Sequence, residues 1–103
     1  MKNEGMSVFE DKTTDRVFLF IRGRVDSVNA PVLQSKLNDA IKSKVNKIVL
    51  NMSKVEFISS AGIRVILLMY KTFARAGGTF GIEEPSEIVK NALGMAALKE
   101  LLV

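Results

Sequence analysis

The sequence predicts an α/β domain: a mixed sheet of four to five strands, an N-terminal hairpin and about four helices. Three observations predict it. The β-favouring apolar run Val17–Ile21 and the segment Val45–Leu50, which ends in Ile48-Val49-Leu50, read as central strands. Two stripes of apolar residues at helical spacing, one before and one after the second of these strands, read as packed helices. A short polar link, Lys12-Thr13-Thr14-Asp15, joins the first two strands and makes them an antiparallel pair.

Met6 to Asp11 alternates loosely and predicts the first strand of the hairpin. Arg16 to Arg22 is the second, and its unbroken core Val17-Phe18-Leu19-Phe20-Ile21 predicts burial on both faces. Gly23 to Ser27 reads as a connector. Asn29 or a neighbour caps the next helix, with Pro31 in its first turn, where a missing N–H costs nothing. Leu33, Leu37, Ala40 and Ile41 form that helix's apolar stripe, and Lys36, Asp39 and Lys42 stand away from its centre.

The strand Val45–Leu50 ends at Asn51, and Met52–Ile58 is too irregular for a helix. After Ser59-Ser60-Ala61-Gly62 a strong helical pattern runs to about Ala76, with Ile63, Ile66, Leu67, Tyr70, Phe73 and Ala74 on one face. Gly77-Gly78 stops it. Thr79–Ile82 is a short strand. Pro85-Ser86 opens a further helix with Ile88, Ala92 and Leu93 as its apolar residues and Gly94 near its end. The tail from Met95 is a helical turn, an edge strand, or both. Strands alternating with helices after a hairpin imply a mixed sheet with crossover connections, and 103 residues suit one domain over positions 1–103.

Composition narrows the chemistry. The chain has no Cys and no His. Disulfides, thiolate nucleophiles, Cys-ligated metals, imidazole general bases and a Ser-His-Asp triad are therefore excluded. No P-loop and no G-x-G-x-x-G pattern is present. Neither an enzyme nor a resident cofactor is expected. The net charge is +4, but the basic residues are scattered and the aromatic ones are mostly Phe in apolar strands, so no nucleic-acid partner is expected. The longest apolar run, Val65–Tyr70, is far short of the roughly 20 residues of a membrane span. No apolar segment follows Met1-Lys2-Asn3-Glu4-Gly5, so no targeting peptide is expected. A cytoplasmic location without a membrane partner is the expectation.

The candidate site is Ser59-Ser60, where a loop after a buried strand meets a long helix. A Ser at a helix start can accept bonds from the free N–H groups of the first turn. The positive end of the helix favours an added anion, and Gly62 permits close approach of another backbone. From these features alone, Ser60 reads as a local helix cap before it reads as a modification site. On the next helix Leu68 falls among Arg64, Lys71 and Arg75, flanked by Val65 and Met69, on the face opposite the core stripe. An apolar residue placed so touches a partner or is covered by Lys and Arg stems.

The segment from Ile48 to Gly62 resembles the signature of bacterial anti-sigma-factor antagonists, and the β-β-α-β-α-β-α order is similar to their STAS-type fold. Arg22-Gly23-Arg24-Val25-Asp26 resembles the family's Gly-x-(apolar)-Asp before the first helix, and Gly77-Gly78, Pro85-Ser86 and Leu93-Gly94 fall in matching places. The resemblance covers nearly the whole chain. It implies a phosphorylated serine within Asp-Ser-Ser/Ala/Thr-Gly. Counting back from Gly62, Ala61 takes the second position, Ser60 is the phosphorylated Ser, and Ser59 replaces the Asp, which makes Ser59 an alternative target. Asp26 matches the family's acidic residue near that loop, with a turn or helix cap as its local role. Arg64 stands where a small residue is frequent and can pair with a phosphate on Ser60.

The implied partner-binding set is Asp26, Ser59, Ser60, Ala61, Gly62, Arg64 and Leu68. The implied mechanism is a switch. The unmodified protein binds an anti-sigma factor, itself a GHKL-type serine kinase, and releases a sigma factor for transcription. Phosphorylation separates the pair, and a PP2C-type phosphatase resets it. The departure at Ser59 leaves a second reading open, a STAS scaffold or transport-accessory subunit that is not phosphorylated.

Overall fold

A computed structural model describes residues 2–3 and 5–101. Five strands form one sheet in the order β1-β2-β3-β4-β5: β1 Lys2–Asn3, β2 Met6–Lys12, β3 Arg16–Val25, β4 Lys47–Ile58 and β5 Thr79–Glu83. β2 and β3 are the antiparallel hairpin, closed by Thr13 N–H donating to the Arg16 carbonyl at 2.9 Å. β3, β4 and β5 run parallel, connected by the helices α1 (Ala30–Lys42) and α2 (Ser60–Arg75). The third helix, α3 (Glu87–Leu101), is broken at Gly94, whose φ of 72° and ψ of 167° are not helical. The described residues thus hold three helices, the last in two pieces, where about four were expected.

The core lies between one face of the sheet and the helices. Val8, Val17, Leu19, Ile21, Ile48, Leu50 and Ile82 come from the sheet, Leu33, Leu37 and Ala40 from α1, and Val89 and Leu93 from α3. The α1 stripe is thus the expected one, with Ile41 at its edge. The α2 stripe is turned from its expected position. Val65, Ile66, Met69 and Phe73 are buried, Ile63, Leu67 and Tyr70 are half-buried, and Ala74 is exposed. Because α1 packs beside α2, it gives Val65 and Met69 a covered flank that an isolated helical wheel cannot show. On α3, Val89 and Leu93 are buried, whereas Ile88 is exposed.

Three further expectations change. β3 continues through Gly23-Arg24-Val25, where a connector was expected, and β4 continues to Ile58 instead of ending at Asn51. The two strands stay paired to Val25↔Ile58, with register shifts that give β4 two extra residues between Asn51 and Phe57. These bulges erase the alternation that marks a strand in sequence. Asn51 secures the first of them: its Oδ1 accepts from Ser53 N–H at 3.1 Å and Ser53 O–H at 2.8 Å. Third, β3 is central but not buried on both faces, since Val17, Leu19 and Ile21 are buried while Phe20 is 40% exposed on the opposite face.

α2 ends as its glycines predict. Gly77 takes a φ of +86°, its N–H donates to the Ala74 carbonyl at 3.0 Å, and Gly78 N–H donates to the Phe73 carbonyl at 2.9 Å. That pair of bonds satisfies the helix's last carbonyls.

Candidate functional site

The parallel strands β3 and β4 end together, and the chain leaves each of them toward a helix. This puts the loop 26–29 and the start of α2 side by side at one end of the sheet. Ser59 joins the two. Its N–H donates to the Val25 carbonyl at 2.9 Å, and its O–H donates to the same carbonyl at 3.2 Å. Its Oγ also accepts from Gly62 N–H at 3.2 Å, so Ser59 is the N-cap of α2. One hydroxyl thereby satisfies a free helix donor and ties the helix to the end of β3.

Ser60 is the first residue of α2. It is exposed, and among the described residues its hydroxyl has no hydrogen bond. The first turn of α2 contains no acidic residue. Gly62 is buried against β3, where a Cβ would lie 2.8 Å from Val25 Cγ1, 2.9 Å from the Val25 carbonyl oxygen and 3.0 Å from Ile58 Cγ1. A glycine is therefore needed here for close approach, as the sequence predicts.

Asp26 is committed to its own turn. Its Oδ1 accepts from Val28 N–H at 3.1 Å and Asn29 N–H at 2.9 Å, and its carbonyl accepts from Ala30 N–H at 2.8 Å. Asp26 thus shapes the loop that enters α1. Asn29 occupies the N-cap position of α1 but its side chain does not cap the helix. It is buried, and its Nδ2 donates to the Arg24 carbonyl at 2.9 Å, fastening the loop to β3.

Ala61, Arg64 and Leu68 of α2 meet Ser27, Ala30 and Pro31 across a shallow groove of about 200 Å³ between the two helices. Leu68 is 48% exposed, as expected, but Val65 and Met69 do not flank it on the surface because both are buried. Arg64 is exposed and forms no ion pair among the described residues. Of the predicted set, then, Ser60, Ala61, Arg64 and Leu68 offer one surface, while Asp26, Ser59 and Gly62 build the frame beneath it.

Sequence reasoning missed two participants. The Val25 carbonyl accepts both bonds from Ser59, and a backbone group carries no sequence signal. The guanidinium of Arg24 lies 4.3 Å from the centre of the Phe57 ring, within cation–π range. Their pairing became visible only with the extended β3–β4 register, Arg24↔Phe57. Among the described residues no cluster of acidic side chains suits a metal, and no helix is long and apolar enough to cross a membrane.

Comparison with known proteins agrees with this architecture. The STAS domain model matches residues 9–102. BtrV of Bordetella bronchiseptica is 32% identical over 73 residues, covering 71% of this chain and 63% of that protein, so the match spans less than two thirds of the relative's length. A Thermotoga maritima protein is 30% identical over 89 residues, covering 85% of this chain and 79% of its own. Both carry the name anti-sigma factor antagonist. The anti-sigma factor antagonist SpoIIAA in its unphosphorylated form superposes with a TM-score of 0.81 at 19% identity, over 94% of this chain and 86% of its own. The phosphorylated form of SpoIIAA, a Bacillus cell fate determinant, gives 0.79 at 18% identity over 94% and 89%. With the hairpin, the β3–β4 ends and the Ser59–Gly62 helix start all in place, the chain belongs to the STAS-domain family of anti-sigma-factor antagonists.

Proposed function

We propose that this protein is a phosphorylation-switched antagonist that binds an anti-sigma factor through the Ser60 end of α2. The observation that carries the reading is the division of labour between two adjacent serines. Ser59 is held by the Val25 carbonyl and Gly62 N–H, while Ser60 beside it is exposed at the helix start. A kinase reaches a free, exposed hydroxyl more readily than one engaged in two hydrogen bonds. This favours Ser60 over Ser59 as the phosphoacceptor. Ser59 also fills, without charge, the capping position where the family pattern has Asp, so the missing carboxylate does not undo the helix start.

In the unmodified state the exposed surface of Ser60, Ala61, Arg64 and Leu68 docks on the anti-sigma factor, a GHKL-type serine kinase, and the sigma factor is released. The kinase then transfers the γ-phosphoryl group of ATP to Ser60 Oγ. The O–P bond forms, the hydroxyl proton leaves and ADP departs. The phosphate adds about −1.5 to −2 charges to the docking surface. It sits at the positive end of α2 with no acidic residue in the first turn to repel it. Arg64, one turn along, is spaced to pair with it. The domain keeps its fold and the partner loses its surface. A PP2C-type phosphatase hydrolyses the ester and restores the hydroxyl. The antagonist contributes no catalysis of its own in this scheme.

The test is incubation with the anti-sigma kinase and ATP, followed by mass-spectrometric mapping. Phosphate is expected on Ser60 in the wild type and in Ser59→Ala, and on neither serine in Ser60→Ala. Absence of phosphate from both serines of the wild type overturns the switch.

A further inference from the structure

We propose that the sheet face turned away from the helices binds single-stranded nucleic acid along β3. The outward side chains of β3 are, in order, Arg16, Phe18, Phe20, Arg22 and Arg24, because Val17, Leu19, Ile21 and Val25 alternate with them into the core. Beside this row, β4 sets Lys47 next to Arg16, Lys54 next to Arg22 and Phe57 next to Arg24, and β2 sets Phe9 opposite Phe20. Phe9 is 66%, Phe20 40% and Phe57 36% exposed. The three arginines and Lys54 are exposed and Lys47 is half-buried, and among the described residues none of them forms an ion pair. In the sequence, α1 separates the arginines from the lysines, and the phenylalanines sit in apolar strands, so neither the basic cluster nor its interleaving with rings is visible there. The strand register supplies both.

Charge and rings together select the occupant. Acidic side chains border the row without entering it. Asp11 is on β2 opposite Phe18, and Glu56 stands in the β4 bulge between Val55 and Phe57. Glu83 is on β5 beside Asn51, and it and Glu84 accept from Asn51 Nδ2. Arg16 and Lys47 outweigh Asp11 at one end, and Arg22, Arg24 and Lys54 outweigh Glu56 at the other. Glu83 is two strands from β3, about 10 Å away, where a charge is largely screened at physiological salt. A polyanion is thus drawn along β3. An acidic peptide meets the cations but leaves the Phe rings between them unused. A nucleic-acid strand alternates phosphates with flat bases, and bases stack on Phe rings and guanidinium planes. Arg24, with its guanidinium 4.3 Å from the centre of the Phe57 ring, offers both together. In a duplex the base faces are covered by their neighbours, so the strand that uses these rings is single.

Two concavities follow the row. One, of about 690 Å³, is lined by Phe9, Phe20 and Asn51, the other, of about 530 Å³, by Ser53 and Glu56, and Arg22 and Lys54 line both. A phosphate on Arg22 and Lys54 thus joins a base stacked on Phe20 to the next one toward Phe57. Eight residue steps separate Arg16 from Arg24. That is roughly 26 Å of strand, room for at most about eight nucleotides. Without base-specific contacts, the expected dissociation constant is on the order of 10 μM. The face lies across the sheet from α2 and Ser60, so the proposal does not depend on phosphorylation.

Fluorescence anisotropy with a labelled oligothymidylate of about 12 nucleotides, in about 50 to 200 mM salt, tests it. The wild type is expected to bind, and more weakly as salt rises. Phe20→Ala is expected to weaken binding about tenfold and to leave the salt slope unchanged. Arg22→Gln with Lys54→Gln is expected to weaken it and to flatten the slope by about 1.4. Lys71→Gln with Arg75→Gln removes the same charge from the exposed side of α2 and is expected to change neither. Circular dichroism verifies the fold, and Phe9→Ala, at a more exposed ring, carries the test if Phe20→Ala unfolds. No binding at about 200 μM protein in the lowest salt, equal losses from the two charge pairs, Phe variants that bind like the wild type, or a duplex of the same length bound as tightly overturns the proposal. So does polyglutamate that displaces the oligonucleotide at equal charge concentration, which assigns the face to an acidic protein.

Discussion

Ser59 and Ser60 show how one peptide bond separates a hydroxyl held within the fold from one left exposed. Both hydroxyls have the same chemistry, and both stand close before Gly62. The difference comes from Val25, whose carbonyl takes the N–H and O–H of Ser59 and leaves Ser60 outside. Ser59→Ala is expected to cost about 1 kcal/mol in urea denaturation, because a helix donor and a strand-end tie are lost together. Ser60→Ala is expected to leave the same curve unchanged within about 0.5 kcal/mol, as for a surface substitution. Gly62→Ala pushes a methyl group into Val25 and Ile58 and is expected to lower stability by about 1–3 kcal/mol in the same measurement. The sequence motif located this triplet and the glycine's close approach. It made Ser60 the helix cap, whereas the cap is Ser59, because that choice depends on a carbonyl 34 residues away.

At the scale of elements, α1 and α2 finish differently. α2 closes on Gly77 in the left-handed region, whereas α1 closes on Lys44 with a φ of +63°, a conformation that costs a residue with a Cβ. Lys44→Gly is therefore expected to raise stability by about 0.5–1 kcal/mol, and Gly77→Ala to lower it by about 1 kcal/mol, both read as shifts in the urea midpoint. The start of α2 gives a sharper test. With no acidic residue in its first turn, Ser60→Glu is expected to add about 0.3–1 kcal/mol of stability by thermal melting. Titration calorimetry is expected to show weaker binding of the same variant to the anti-sigma factor. A change that stabilises the protein while weakening the complex separates a docking defect from a folding defect. The element order was legible because long apolar runs and helical stripes survive local irregularity. The ends of β3 and β4 were not, because their bulges are held by pairing between strands and by the side chain of Asn51.

Over the whole molecule, one sheet serves two surfaces. The face under the helices holds Leu19, Ile48 and Leu50 at no measurable exposure, so Leu50→Ala is expected to cost about 2–5 kcal/mol in urea denaturation. The opposite face carries Phe9 and Phe20 into solvent. The apolar run Val17–Ile21 conceals this division, since five apolar residues in a row look the same whether two faces are covered or one. The sequence by itself determined the mixed α/β order, the α1 stripe, the glycine stop of α2 and the serine pair at its start. Each of these depends on residues near one another in the chain: periodicity, a backbone conformation, or a motif of a few positions. Only the tertiary structure decided which serine is free, which way α2 turns its apolar face, and which phenylalanines the core leaves out. Those outcomes depend on what a distant segment covers: α1 against one flank of α2, the Val25 carbonyl over Ser59, and the helices over a single face of β3.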